Sequence, residues 1–259
     1  YLLQRAGVTG DLFRIGDRLK VAGLMSRREE RVLLAHNMVL SDGRDFVLWG
    51  KLASRFNDAA KLVDAASEDR GIFRVWSTPA ELFPGFEQQM RQLPLSKTAI
   101  AGRDAWDPLD NYTLRCERPG MPGIMASSNP FEFLDSGDTI TLRTIGIERT
   151  IHMDRSMPPE DALWSRLGYS VGAWGGETLV VTTTHINWPY FDDVGTPQTE
   201  ALKVVEKFTL SADQTRLNRD ITLTDPETFT GPANVQGYWL ALGEAVPPYD
   251  CQYTGRPGD

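Results

Sequence analysis

Gly168-Tyr-Ser-Val-Gly-Ala-Trp-Gly-Gly-Glu-Thr-Leu-Val-Val-Thr-Thr-Thr-His185 reads as two extended runs folded back on each other around Gly175-Gly176. β-branched residues crowd the second run, and their side chains pack well on a pleated surface. A glycine pair supplies the positive φ angles that a tight hairpin turn needs. Alternation with period two puts Leu179, Val181, Thr183 and His185 on one face and Val180, Thr182 and Thr184 on the other. The stretch is therefore a strand hairpin, and the chain on either side of it has the same texture.

Working outward, candidate strands cover 131–135, 138–145, 148–154, 168–174, 177–186, 202–210, 215–224 and 235–242, with turn chemistry at Ser136-Gly137, Ala212-Asp213-Gln214 and Asp225-Pro226. Short sequential strands joined by tight turns predict an up-and-down antiparallel barrel or a strongly rolled sheet. Strands do not alternate with long helices, which disfavours a doubly wound fold. The fold class expected is mainly all-β.

Residues 1–50 read as a small, OB-like β-barrel domain, expected to be truncated, with strand-like segments at 13–17, 18–22, 32–40 and 45–49 and an Asp42-Gly43 turn. Residues 51–109 form a connector. Lys51 to Glu68 spaces Leu52, Phe56, Ala59, Ala60 and Val63 as a helix, while Pro79, Pro84 and Pro94 break up its second half, leaving one helical turn near Glu87 to Arg91. This connector either covers the barrel or acts as a lid over its mouth. Residues 110–259 make up the main barrel.

The 259 residues are 41% hydrophobic and 24% charged, ordinary for a folded globular chain. A net charge of -8 disfavours nucleic acid and anionic lipid as partners. The mixed-sign run Arg27-Arg28-Glu29-Glu30-Arg31 reads as a solvated loop. No apolar run approaches the roughly 18 residues of a membrane helix. The chain starts at Tyr1 without methionine, as expected after removal of an export signal or after truncation. Cys116 and Cys251 are either a bridge clamping the entry of the second half to its exit or two buried thiols.

Ionisable residues on the strands are the candidates for chemistry. His185 falls in phase with Leu179, Val181 and Thr183, whereas His152 shares a face with Thr150 and Asp154, opposite Ile151 and Met153. Glu206 lies in phase with Val204 and Phe208, and Arg219 with Leu217, Ile221 and Leu223. If the turn at 212–214 closes the hairpin, facing residues have numbers summing to about 425, which sets Glu206 opposite Arg219 as a cross-strand ion pair, buried or exposed depending on the face. Imidazoles titrate near neutral pH and suit proton transfer. The catalytic candidates are His152, His185, Asp154, Arg149, Glu206 and Arg219. Either face could line the lumen.

Trp164, Tyr169, Trp174, Trp188, Tyr190, Phe191, Tyr238 and Trp239 make the second half rich in aromatics, mostly as core. Ligand contacts are expected from Tyr169, Trp174, Trp188, Tyr190, Phe191 and Trp239, with Trp188-Pro189-Tyr190-Phe191 folding over a barrel mouth. A metal held by His152, His185 and one of Asp154, Asp192 or Asp193 lacks the usual ligand spacings, so no metal or cofactor is expected. Gly168-Tyr-Ser170-Val-Gly172 matches the Gly-x-Ser-x-Gly hydrolase pattern. However, Ala-Trp-Gly-Gly and another strand come after it rather than a helix, so Ser170 reads as a strand residue.

The second half, Asp110 to Gln252, resembles a family of uncharacterised, commonly exported bacterial proteins that carry the blocks Tyr112-Thr-Leu-Arg-Cys-Glu-Arg-Pro-Gly-Met-Pro122, Arg149-Thr-Ile-His-Met-Asp154, Gly168-Tyr-Ser-Val-Gly-Ala-Trp174, Glu177-Thr-Leu-Val-Val-Thr-Thr184 and Asp225-Pro226. The resemblance implies a lipocalin-like barrel and a periplasmic or secreted location, and assigns no reaction. The residues themselves lead to the expectation of a barrel that binds an apolar or aromatic small molecule. With His152 or His185 in acid–base catalysis it would be a cofactor-independent isomerase, cyclase or lyase. The alternatives are a carrier without catalysis and a structural subunit packing on copies of itself.

Overall fold

The computed structural model describes residues 8–47, 70–79 and 82–253. Two sheets organise them. The first contains β1 (Lys20–Met25), β2 (Leu33–Val39) and β3 (Asp45–Val47), antiparallel in chain order. The expected turn is present, with Gly43 at φ 85° and the Asp42 carboxylate accepting from the Arg44 backbone N–H. Residues 13–17 form no strand. The helix expected over Lys51 to Glu68, and residues 48 and 49 of the strand expected at 45–49, lie outside the described residues.

The second sheet has nine strands. They are β4 (Val75–Trp76), β5 (Phe131–Asp135), β6 (Thr139–Thr144), β7 (Ile147–His152), β8 (Tyr169–Gly175), β9 (Thr178–Thr184), β10 (Lys203–Leu210), β11 (Arg216–Thr224) and β12 (Ala233–Leu240), each hydrogen-bonded to the next in chain order. Ser77 and Leu240 then exchange two backbone hydrogen bonds of 2.9 Å, which draws the first strand to the last and nearly closes a barrel. The all-β barrel expected from the strand pattern is thus the fold, with two differences. β4 comes from the connector and adds a ninth strand. β7 and β8 pair in parallel, through Ile151↔Ser170 and His152↔Val171, so the connection 153–168 must cross from one end of the barrel to the other.

The described residues of the connector contain the α-helices α1 (Leu82–Arg91) and α2 (Lys97–Ala105). α1 is longer than the single turn expected, and α2 is an addition to the expected elements; its N-cap Ser96 accepts from the Ala99 backbone N–H at 3.0 Å. The Gln89 side-chain amide pairs with both backbone groups of Gln236, capping the exposed edge of β12 as a neighbouring strand would.

Alternation decides the core. Leu179, Val181, Val204, Phe208, Leu217 and Trp239 are all fully buried and face inward. Phe131 and Phe208 both stack on Trp239, with ring centroids 4.5 and 5.9 Å away. A 3-10 turn, Gly123–Ala126, joins this core through Ile124 and Met125, together with Met121 just ahead of it; all three are 0–1% exposed. The interior is therefore occupied mostly by side chains and by this plug. Cys116 and Cys251 form a disulfide between the segment leading into the plug and the segment after β12.

Candidate functional site

Three of the expected residues meet inside the barrel. Arg149 points inward from β7 and donates to Ser170 Oγ, to Thr183 Oγ1 at 2.6 Å and to the Glu206 carboxylate, with Met125 Sδ at 3.5 Å from Nη1. Its guanidinium and the Glu206 carboxylate are no more than 1% exposed. Arg219 on β11 is buried as well, donates to the Met125 carbonyl and lies over the Trp239 ring. Burial pushes the Arg219 pKa down to about 10, with the nearby Glu206 charge acting in the opposite sense, so Arg219 stays cationic at neutral pH.

The partner of Glu206 differs from the one expected. The β10–β11 register pairs Phe208 with Arg219 and Glu206 with Ile221, so facing residues sum to 427. The reason is the turn: the Asp213 carboxylate accepts from Ser211 Oγ and the Thr215 N–H, and Gln214 adopts φ 55°, which centres the loop further along the chain than expected. Arg149, three strands away, takes the Glu206 carboxylate instead. Ser170 is 1% exposed and bonded to Arg149, a strand residue of the interior.

The histidines lie elsewhere, on the outer face at the end where the 153–168 crossover runs. Ile151 is buried, and His152, one residue on, turns outward and stacks on Tyr169 of β8 with ring centroids 4.5 Å apart and planes 7° apart. Tyr169 is the register partner of Thr184, whose Oγ1 is 2.9 Å from His185 Nδ1. The sequence places His185 in phase with Leu179 and Val181. In the structure β9 ends at Thr184, and φ of 57° at His185 takes it out of the alternation. Its ring packs 4.8 Å from Trp164. His152 and His185 are thus joined through Tyr169 and Thr184 in one continuous cluster.

Asp154 and Arg155 complete this rim with a two-bond ion pair. Hydrogen bonding from Arg155 holds the Asp154 carboxyl below its usual range, and the His152 charge acts in the same direction. Asp154 raises the Arg155 pKa first, and the Tyr169 side chain acts in the same direction. The same crossover exposes Met157 (69%), Leu163 (83%) and Trp164 (47%), the last against the His185 ring. Arg155, Thr184, Met157 and Leu163 are not among the expected site residues, and the sequence groups Trp164 with the core aromatics. A long connection between two strands that must run in the same direction is the signal that could have singled them out.

The other expected ligand contacts separate. Trp239 and Phe191 are core, the latter against Phe229. Trp188 and Tyr190 pack on Tyr112 with centroids 5.2 and 6.1 Å away, and Gln198 Nε2 donates to the carbonyls of both Met121 and Trp188. This segment therefore holds the plug. Burial first, then the Asp193 and Asp192 charges, raise the Tyr112 pKa. Asp192 is committed to its own loop, accepting from Val194 and Thr196. Trp174 stands apart at 46% exposed, edge-on to Phe73. Among the described residues no group of three or more His, Cys, Asp or Glu side chains is arranged to hold a metal ion. Protein-family models, curated proteins and solved structures were each compared with the chain, and none matches.

Proposed function

We propose that this protein binds an apolar or aromatic small molecule on the rim formed by the 153–168 crossover, with His152 and His185 as proton-transfer groups. The observation that carries this reading is a rim that runs from His152 on the Tyr169 ring, through Thr184, to His185 on the Trp164 ring, with the Asp154–Arg155 pair and three exposed apolar side chains on the same crossover. Large apolar groups turned to water near hydrogen-bonding groups are what a ligand surface needs. The reaction class that fits is a cofactor-independent isomerisation, cyclisation or elimination, which requires only positioned acids and bases. The side chains that occupy most of the interior favour the rim over the lumen as the binding place for a guest of this size. The Cys116–Cys251 bridge supports an oxidising location, periplasmic or secreted.

A carrier without turnover is the second reading, favoured by the flat His152–Tyr169 stack, which offers a π face to a guest. Fluorescence titration with 1-anilinonaphthalene-8-sulfonate, an aromatic probe, tests the site. Saturable binding that weakens at least about tenfold in Trp164→Ala, the loss of roughly 1.4 kcal/mol, is expected. Equal affinity in wild type and variant would move the site elsewhere. With a turned-over substrate, His152→Ala or His185→Ala abolishes turnover and leaves binding in place if the protein is an enzyme.

A further inference from the structure

We propose that the barrel interior contains a second, buried site for a hydroxyl group, bridging Glu206 and Arg219. Two charged groups of opposite sign are buried there on neighbouring strands, yet Glu206 Oε1 and Arg219 Nε are both without a hydrogen-bond partner. They lie on neighbouring strands as diagonal neighbours, since Arg219 faces Phe208 and Glu206 faces Ile221. A third buried polar atom without a partner, Trp239 Nε1, belongs to the indole whose centroid is 4.9 Å from the Arg219 guanidinium carbon. Together they present one acceptor and two donors. Buried polar atoms are paired in nearly every folded protein, and orphaned atoms of charged groups are the costliest exceptions.

The chemistry of the guest is set by these three atoms. A simple anion would satisfy Arg219 and Trp239 but oppose Glu206; a cation would do the reverse. A hydroxyl both donates and accepts, so it can give its proton to Glu206 Oε1 while accepting from Arg219 Nε–H, with Trp239 Nε1–H on the flank. Water is the smallest such guest, and the hydroxyl of a small alcohol or phenol has the same chemistry. Gly237 provides space: it faces Arg219 in the register, is half-buried, and a Cβ built on it meets just one atom within 4 Å, Arg219 Nη2 at 3.4 Å. A side chain at 237 would occupy the room next to the guanidinium.

Glu206 and Arg219 lie inside the barrel, apart from the rim residues. A crystal structure of the whole chain, at a resolution that shows ordered solvent, tests it. The expected result is a density peak within about 3.2 Å of both Glu206 Oε1 and Arg219 Nε. A round peak that gives a water-to-Arg219 Nε–H exchange signal by NMR identifies solvent; elongated density, with a matching mass released on denaturation, identifies a hydroxyl ligand. Both outcomes support the site. Direct contact between the Glu206 and Arg219 side chains, or no peak between them, overturns it.

Discussion

The barrel interior and the 153–168 rim carry similar ionisable side chains under different physical regimes. Inside, Arg149, Glu206 and Arg219 are almost completely removed from water, and each charge depends on neighbours fixed by strand register. On the rim, Asp154 and Arg155 are more than a third exposed, and the imidazoles are half-buried. Water screens the rim charges, so they add little to stability and are free to serve a ligand. The buried charges cannot lose a partner without a large penalty. The same residue types are thus structural in one place and suited to chemistry in the other, and burial is what separates them.

The largest expected effect tests the interior half of that contrast. Glu206→Ala strands two guanidiniums in the core and should lower unfolding stability by about 3 to 5 kcal/mol in urea melts, whereas the triple change Arg149→Met, Glu206→Leu and Arg219→Met, which leaves no charge behind, should cost far less. A single variant that loses under about 1 kcal/mol would mean the interior pair is no more critical than an exposed one.

A smaller effect is expected at Asp225, a buried carboxylate that accepts five hydrogen bonds, from the backbone N–H groups of Thr199, Glu227 and Thr228 and the hydroxyls of Thr199 and Thr228. Burial alone would raise its pKa, and the hydrogen bonds together outweigh that and lower it. A depressed carboxylate contributes stability above the unfolded-state value near 4, and the contribution is lost as pH falls through the folded-state value. Asp225→Asn should cost about 1 to 3 kcal/mol at pH 7 and flatten the acid side of the stability–pH curve. An unchanged acid limb would remove Asp225 from the account.

The smallest effect sharpens the rim half. His152→Ala and Trp164→Ala should shift thermal stability by less than about 1 kcal/mol, as surface changes do. A loss of several kcal/mol in either variant would make the rim part of the structural core and weaken the functional reading.

The strands are readable because period-two burial leaves a plain trace: Leu179, Val181 and Thr183 face inward as alternation requires. β4 escapes because a two-residue strand close to a proline carries no periodicity, and closure depends on the Ser77–Leu240 bridge, which only tertiary structure supplies. Glu206, Arg219 and Arg149 are legible as candidates, but their pairing is not. A turn shifted by hydrogen bonds to the Asp213 carboxylate moves the whole register, and Arg149 arrives from a strand far off in sequence. His185 is misplaced by alternation because nothing in its neighbours announces a positive φ. Trp164 resembles a core aromatic until the parallel pairing of β7 and β8 sends its loop across the outside.

The Cys116–Cys251 bond turns the stretch between those residues into a covalent ring that contains the whole exposed crossover. A nick by trypsin after Arg155 or Arg166 would therefore open the ring without releasing a piece. The cut chain should migrate as one species without reductant and as two with it, and the strands on either side of the break would stay tethered through their far ends.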